Sequence, residues 1–285
     1  MSSNDALVGI GRKSSTSVFG ELRDRHRPWY FWTIAYSVLT LFCFTASLVD
    51  ERLFQGVSTW HKPFKFALSL VVYFATLGWF AKLMRSGYFD TKRGKWLTML
   101  PIVCAGLEML YILIQGARAE ASHFNASSPF YNAMYGLMGF GAVLLVLVCL
   151  WMGISILRHR GTGDVWVLSV GVGLILTFVL GGGYGSYLGG AEAHWVGGVA
   201  TDAGGLPLVN WSRTGGDLRV AHFFGIHAMQ IIPLLGAVLL WAQQSKKVSA
   251  ANSKLILTTF SIAFAAFCTS TFVQAINGSP LMSLS

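Results

Sequence analysis

Seven stretches of the chain are almost unbroken in apolar side chains, each about 20 residues or longer: positions 30–49, 64–83, 96–116, 134–157, 165–188, 220–243 and 255–276. A hydrocarbon core about 30 Å thick is crossed by roughly 20 residues of α-helix, so each stretch predicts one crossing. Strands of a transmembrane barrel would be about half as long and would alternate apolar with polar residues, which these stretches do not do. The expected fold is therefore all-α, a polytopic transmembrane helical bundle of about seven helices. Positions 1–28 read as a basic cytoplasmic tail without the apolar core and cleavage site of a secretory signal. Positions 29–276 read as the transmembrane domain and 277–285 as a short outer tail. Only one connection, 189–219, is long, and long ordered loops are often functional.

Composition agrees with a lipid solvent. Of 285 residues 54% are hydrophobic and 12% charged, about half the charged share of a soluble domain. A formal charge of +9 in a soluble chain would suggest nucleic acid. Here the basic residues fall between apolar stretches, so the lipid bilayer is the expected partner and nucleic acid is not. Arg12, Lys13, Arg23, Arg25, Arg27, Lys82, Arg85, Lys92, Arg93, Lys95, Arg158, Arg160, Lys246, Lys247 and Lys254 fall on one side of a seven-pass chain. Arg52, Lys62, Lys65, Arg118, Arg213 and Arg219 fall on the other. The positive-inside rule then places the N-terminus inside and the C-terminus outside, in a bacterial inner (plasma) membrane. Cys43, Cys104, Cys149 and Cys268 all lie in apolar runs without metal-site spacing and read as packed core thiols.

Mapping polar residues onto depth gathers them at the outer end. Glu108, Tyr111 and Gln115 share one helical face of the third stretch by their spacing, and Arg118, Glu120, His123 and Asn125 follow directly. The sixth stretch opens with Asp217, Arg219, His222, His227 and Gln230. On a straight helix the last four occupy one broad face that must meet other helices, because ionisable groups facing lipid are costly. His61, His123, His194, His222 and His227 are outer; His26 and His159 are inner. The pattern predicts a polar cavity in the outer half under the long loop, lined by Glu108, Gln115, Arg118, Asp217, Arg219 and Gln230.

Imidazoles there invite a haem or transition-metal reading, with haem b or a metal held by His123, His222, His227 and His194. His123 with His222 or His227 could serve a bis-histidine haem. A small-molecule or proton-coupled transporter is a second reading, with Glu108 the deepest carboxyl. A membrane assembly factor whose outer loop docks another protein is a third. Arg118, Arg213 and Arg219 beside Glu120, Asp202 and Asp217 read as ion pairs, since buried charges need partners. The segment from Trp60 to Lys65 reads as an interfacial anchor with snorkelling lysines. The run GGGYGSYLGG from Gly181 is not a phosphate loop and reads as a close helix-packing surface.

QGARAEASHFNASSPFYNAMYGLMG and GGLPLVNWSRTGGDLRVAHFFGIHAMQIIPLLG resemble a bacterial family of multi-pass membrane proteins that carries no assigned reaction. The most specific parts are SHFN and GGDLRVAHFFGIHAMQ. The family's pattern has Gly-His-Thr-Val-Gly in the long loop, whereas this chain has Ala193-His194-Trp195-Val196-Gly197. The resemblance implies a multi-pass membrane fold and no particular chemistry. A likeness to zinc-dependent membrane hydrolases fails on spacing, because His222 and His227 are five residues apart where those enzymes use four.

Overall fold

The computed structural model describes residues 17–283. Arg12 and Lys13 of the basic tail lie outside them. The chain forms α1 (Val18–Arg25), α2 (Arg27–Val49), a small hairpin of β1 (Leu53–Phe54) and β2 (Val57–Ser58), α3 (His61–Phe80), α4 (Lys92–Ala117) and α5 (Pro129–Arg160). It continues through α6 (Val165–Leu176), a π-helical turn at Thr177–Gly182, α7 (Gly183–Gly190), an antiparallel pair of β3 (Trp195–Val196) and β4 (Gly216–Asp217), α8 (Arg219–Ile226), α9 (Ala228–Gln244) and α10 (Ala250–Ile276).

Among the described residues, six helical segments are long and apolar enough to cross a membrane, with the run from α6 through α7 forming one of them. The pair α8 and α9 forms a seventh when taken as one span bent by 45°. The fold is an all-α polytopic bundle, as the seven apolar stretches predict. Large apolar side chains such as Leu41 (65% exposed), Val38 and Leu107 line its outer surface. That surface suits lipid and would be a severe liability in water.

The helices start where the loops supply caps. Thr91 Oγ1 accepts from the Gly94 amide (3.1 Å), Ser128 Oγ from Tyr131 (3.3 Å), Asp164 Oδ1 from Trp166 (2.8 Å) and Ser249 Oγ from Asn252 (3.1 Å). Each satisfies an amide that the first helical turn leaves without a partner. One core packs around Trp29, Phe74, Leu77, Leu97, Ile112, Met152 and Leu174. A second joins Val165, Ala228, Ile232, Leu257 and Cys268. Cys43, Cys149 and Cys268 are buried thiols and Cys104 is half-buried; none of the four is in a disulfide.

Connections sort cleanly by end. At one end Arg25 donates to the Trp79 carbonyl (2.8 Å), Glu21 pairs with Lys82 (3.1 Å), and Arg160 donates to the carbonyls of Lys82 and Leu83 (3.2 Å each). At the other end Arg52 Nη1 donates to the Ala117 carbonyl (3.0 Å), Thr59 to Gly116 (2.6 Å), the Asp202 amide to Gln55 (3.1 Å) and Tyr135 to Gly189 (3.0 Å). The candidate residues all belong to this second end.

Candidate functional site

The long loop is fastened by one guanidinium. Asp217 is closed off from solvent, and its Oδ1 accepts from the Arg219 amide (3.0 Å) and Nε (2.9 Å). Its Oδ2 accepts from Arg219 Nη2 (2.7 Å) and the Ser212 amide (2.9 Å). Arg219 Nη2 also reaches Asp202 Oδ1 (2.9 Å) and the Asn210 carbonyl (2.7 Å), and Nη1 reaches Asp202 Oδ2 (3.3 Å). His194 Nε2 stands 3.3 Å from Asp202 Oδ1, with its ring against Trp195 and Phe124. Burial works to raise the Asp202 carboxyl, but the bonds from His194 and Arg219 prevail and hold it at about 2. Burial keeps His194 below its ordinary value. Fork geometry lets one arginine satisfy two carboxylates. Asp217, Arg219 and His194 thus tie the loop to the start of α8.

Gln115 and Arg118 are likewise occupied in closing a loop. Gln115 Nε2 donates to the Ala121 carbonyl (3.0 Å). Arg118 pairs with Glu120 (2.9 Å), and Tyr131 donates to the same carboxylate (2.9 Å). Arg213 makes no ion pair among the described residues, and its Nε is buried without a partner.

The sixth span breaks at His227, so the wheel of a straight helix does not describe it. The cause is a side chain inserted into the helical ladder. The amide of Met229 donates to Thr177 Oγ1 of the π turn (2.9 Å), and Thr177 Oγ1 in turn donates to the Gly173 carbonyl (3.0 Å). Glycines allow this closeness. A Cβ on Gly225 would lie 2.7 Å from the Gly181 nitrogen, and one on Gly181 would lie 2.9 Å from the Ile226 nitrogen. Within the run GGGYGSYLGG, Gly181, Gly182 and Gly185 pack closely on neighbouring residues, while Gly183, Gly189 and Gly190 face open space; the π turn within it is not visible from composition.

This junction fixes two imidazoles. His222 Nδ1 lies 2.9 Å from the Gly181 carbonyl. A carbonyl only accepts, so Nδ1 carries the proton and Nε2 keeps its lone pair. His227 Nδ1 lies 3.1 Å from Gln230 Oε1, and Gln230 Nε2 donates to Thr76 Oγ1 (3.0 Å). Thr76 spends its own hydroxyl proton on the Val72 carbonyl (2.7 Å). It therefore accepts from the Gln230 amide nitrogen, which turns the amide oxygen to His227 and leaves His227 Nε2 unprotonated as well. His227 is near enough for its charge to act on His222.

Lys62, Glu108, His123 and His222 are deeply surrounded by protein, yet each retains accessible surface. His123 packs on Phe66 (5.3 Å) and Tyr135 (5.8 Å), with Nδ1 3.1 Å from Ser122 Oγ. Burial and the charge of Lys62 hold His123 well below its ordinary value. Among the described residues, no hydrogen bond or ring contact joins His123 to His222 or His227. Nor do three or more His, Cys, Asp or Glu side chains gather there to hold a metal ion.

The two lysines of the anchor segment have different neighbours. Lys65 does reach outward, donating to Asn210 Oδ1 and the Val209 carbonyl (3.3 Å each). Lys62 instead lies over the Phe66 ring (6.0 Å) within the electrostatic reach of Glu108 and Asp202. Its position four residues before Phe66, on the same helical face, is the sequence signal that could have found it. No family model, curated protein or solved structure matches the chain.

Proposed function

We propose that this chain is an inner-membrane protein, N-terminus cytoplasmic, whose His222 would hold a haem in the outer half of the bundle. The observation that supports it most is the fixed tautomer of His222. Its Nδ1–H is bound to the Gly181 carbonyl, which leaves Nε2 as the coordinating atom and sets the ring's orientation, as in metal-bound histidines generally. His227 is held in the same tautomer by Gln230, and it or His123 would supply a second imidazole to hold the group. The porphyrin provides four of the iron's ligands, so haem suits imidazoles that stand apart. A metal ion bound by side chains alone would need a cluster the described residues do not form. When bound, haem would supply one-electron chemistry; the chain's own contribution is to orient the imidazoles and to close the outer face.

The transporter reading loses three of its residues to architecture, because Gln115, Arg118 and Arg219 are occupied in loop closure. The test of the haem reading is the visible spectrum and iron content of detergent-purified protein. We expect a Soret band that is lost or shifted in His222→Ala, with a change of ligation in His227→Ala or His123→Ala. Protein reconstituted with haem that shows no imidazole-type Soret shift, or the same shift in all three variants, would overturn it.

A further inference from the structure

The turn before α4 and the first turn of that helix carry an excess of positive charge. Arg85, Lys92, Arg93 and Lys95 are exposed there, and Asp90 is the one acid between positions 84 and 99. Among the described residues none of these four cations makes an ion pair. Exposed lysines are readily hydrated, so the charge alone demands nothing. What lies beside two of them is more specific. A groove of about 270 Å³ opens on the flank of α4 between Lys92, Lys95, Trp96 and Met99, and its walls are carbon almost throughout. The lysines give it their methylene stems and hold their ammonium groups beyond it, as snorkelling side chains do. Trp96 is 68% exposed, and its indole makes no hydrogen bond and no ring contact among the described residues.

At 100° per residue the four lining residues share one face of α4. Val103, Leu107, Leu110 and Ile114, all exposed, continue the same face towards the far end of the helix. The groove is thus a cationic head above a strip of bare hydrocarbon. At 1.5 Å per residue, Met99 stands about 10 Å below Lys92 along the axis, enough to pass from the headgroup layer into the hydrocarbon.

We infer that this groove binds one anionic phospholipid of the leaflet at this end of the bundle. Its phosphate lies between Lys92 and Lys95, its glycerol backbone against Trp96, and an acyl chain along Met99, Val103 and Leu107. Charge complementarity selects this occupant: an apolar helix of another protein, or a zwitterionic lipid, would cover the strip and leave the lysines unmatched. The site lies at the opposite end from the histidines and does not depend on the haem reading. Each lysine beside an anionic headgroup favours it by about fivefold, so the pair should prefer an anionic to a zwitterionic lipid by about tenfold or more.

The experiment is mass spectrometry of intact complexes of the full chain in detergent, titrated with dioleoyl phosphatidylglycerol or dioleoyl phosphatidylcholine. One phosphatidylglycerol should be retained about tenfold more tightly than phosphatidylcholine. Lys92→Gln with Lys95→Gln should remove that preference, whereas Lys246→Gln with Lys247→Gln, an equal loss of charge at the same end, should leave it. Equal retention of the two lipids by the unaltered protein overturns the inference, as does a preference that survives the first pair or falls equally with the second. Inorganic phosphate should not displace the lipid; full displacement would assign the groove to a free anion and overturn the lipid. A second measurement needs no lysine variant. Phosphatidylglycerol brominated in its acyl chains should quench the part of the emission that Trp96→Phe removes more strongly than brominated phosphatidylcholine does, and equal quenching by the two overturns the assignment.

Discussion

Asp202 shows how much one buried carboxylate can be asked to do. It receives Arg219 on both oxygens and faces His194, and this pairing keeps it ionised at about 2. Its contribution to stability is present above the ordinary carboxylate value near 4 and is lost only as pH falls towards 2. His194 acts earlier. Its folded value is depressed by burial, so unfolding takes up a proton once pH drops below about 6.5. Stability is then complete above that pH and declines beneath it. Thermal unfolding in detergent should show a falling midpoint below about pH 6.5, and His194→Gln should flatten part of that fall. An unchanged pH profile in the variant would show that His194 does not carry it. At this scale the sequence was partly legible. Opposite charges near one another announce ion pairs, but not that a single guanidinium serves both Asp202 and Asp217. Lys62 and Lys65 were legible as belonging to an interfacial segment, but not that Lys65 would reach Asn210 in the long loop.

Among the elements, the seven apolar stretches were legible, because length and side-chain type alone decide them. The junction of the fifth and sixth spans was not. Thr177 sits in an apolar run, and nothing in its neighbours signals that its hydroxyl enters another helix. Gly225 and Pro233 bracket the break. Proline's missing amide and its ring loosen the turn before it, and Thr177 holds the opened amide of Met229. Thr177→Val keeps the shape and removes the acceptor. It should cost about 1–3 kcal/mol by leaving a buried amide unsatisfied, measurable as a lowered unfolding midpoint, and should disturb the spectrum of any haem bound by His222. A variant as stable as the parent would mean that the bend holds without this bond.

Across the whole molecule, the polar residues of the third and fifth connections are brought to the same end as the first hairpin. Gln55 bonds the Asp202 amide, Lys65 bonds Asn210, and Gly216 packs on Ala275. The chain's basic segments collect at the opposite end, where Glu21, Lys82 and Arg160 meet the same turn. Reporter fusions in 118–128 and in 191–215 should both report the non-cytoplasmic side, and fusions in 84–91 and 245–249 the cytoplasm. A split result for the first two would dissolve the shared site.

The wide π turn at Thr177–Gly182 reaches beyond its own hydrogen bonds. Roughly one extra residue per such turn advances every later side chain by about 100° around the axis. Beyond it Gly185 faces His222 of the sixth span, while Tyr184 and Tyr187 meet Phe272 of α10 at 4.8 and 4.9 Å. A single rod thus changes phase partway along and addresses two neighbours in turn. The eight residues of α7 thus touch the histidine-bearing α8 with one side and the last helix with another.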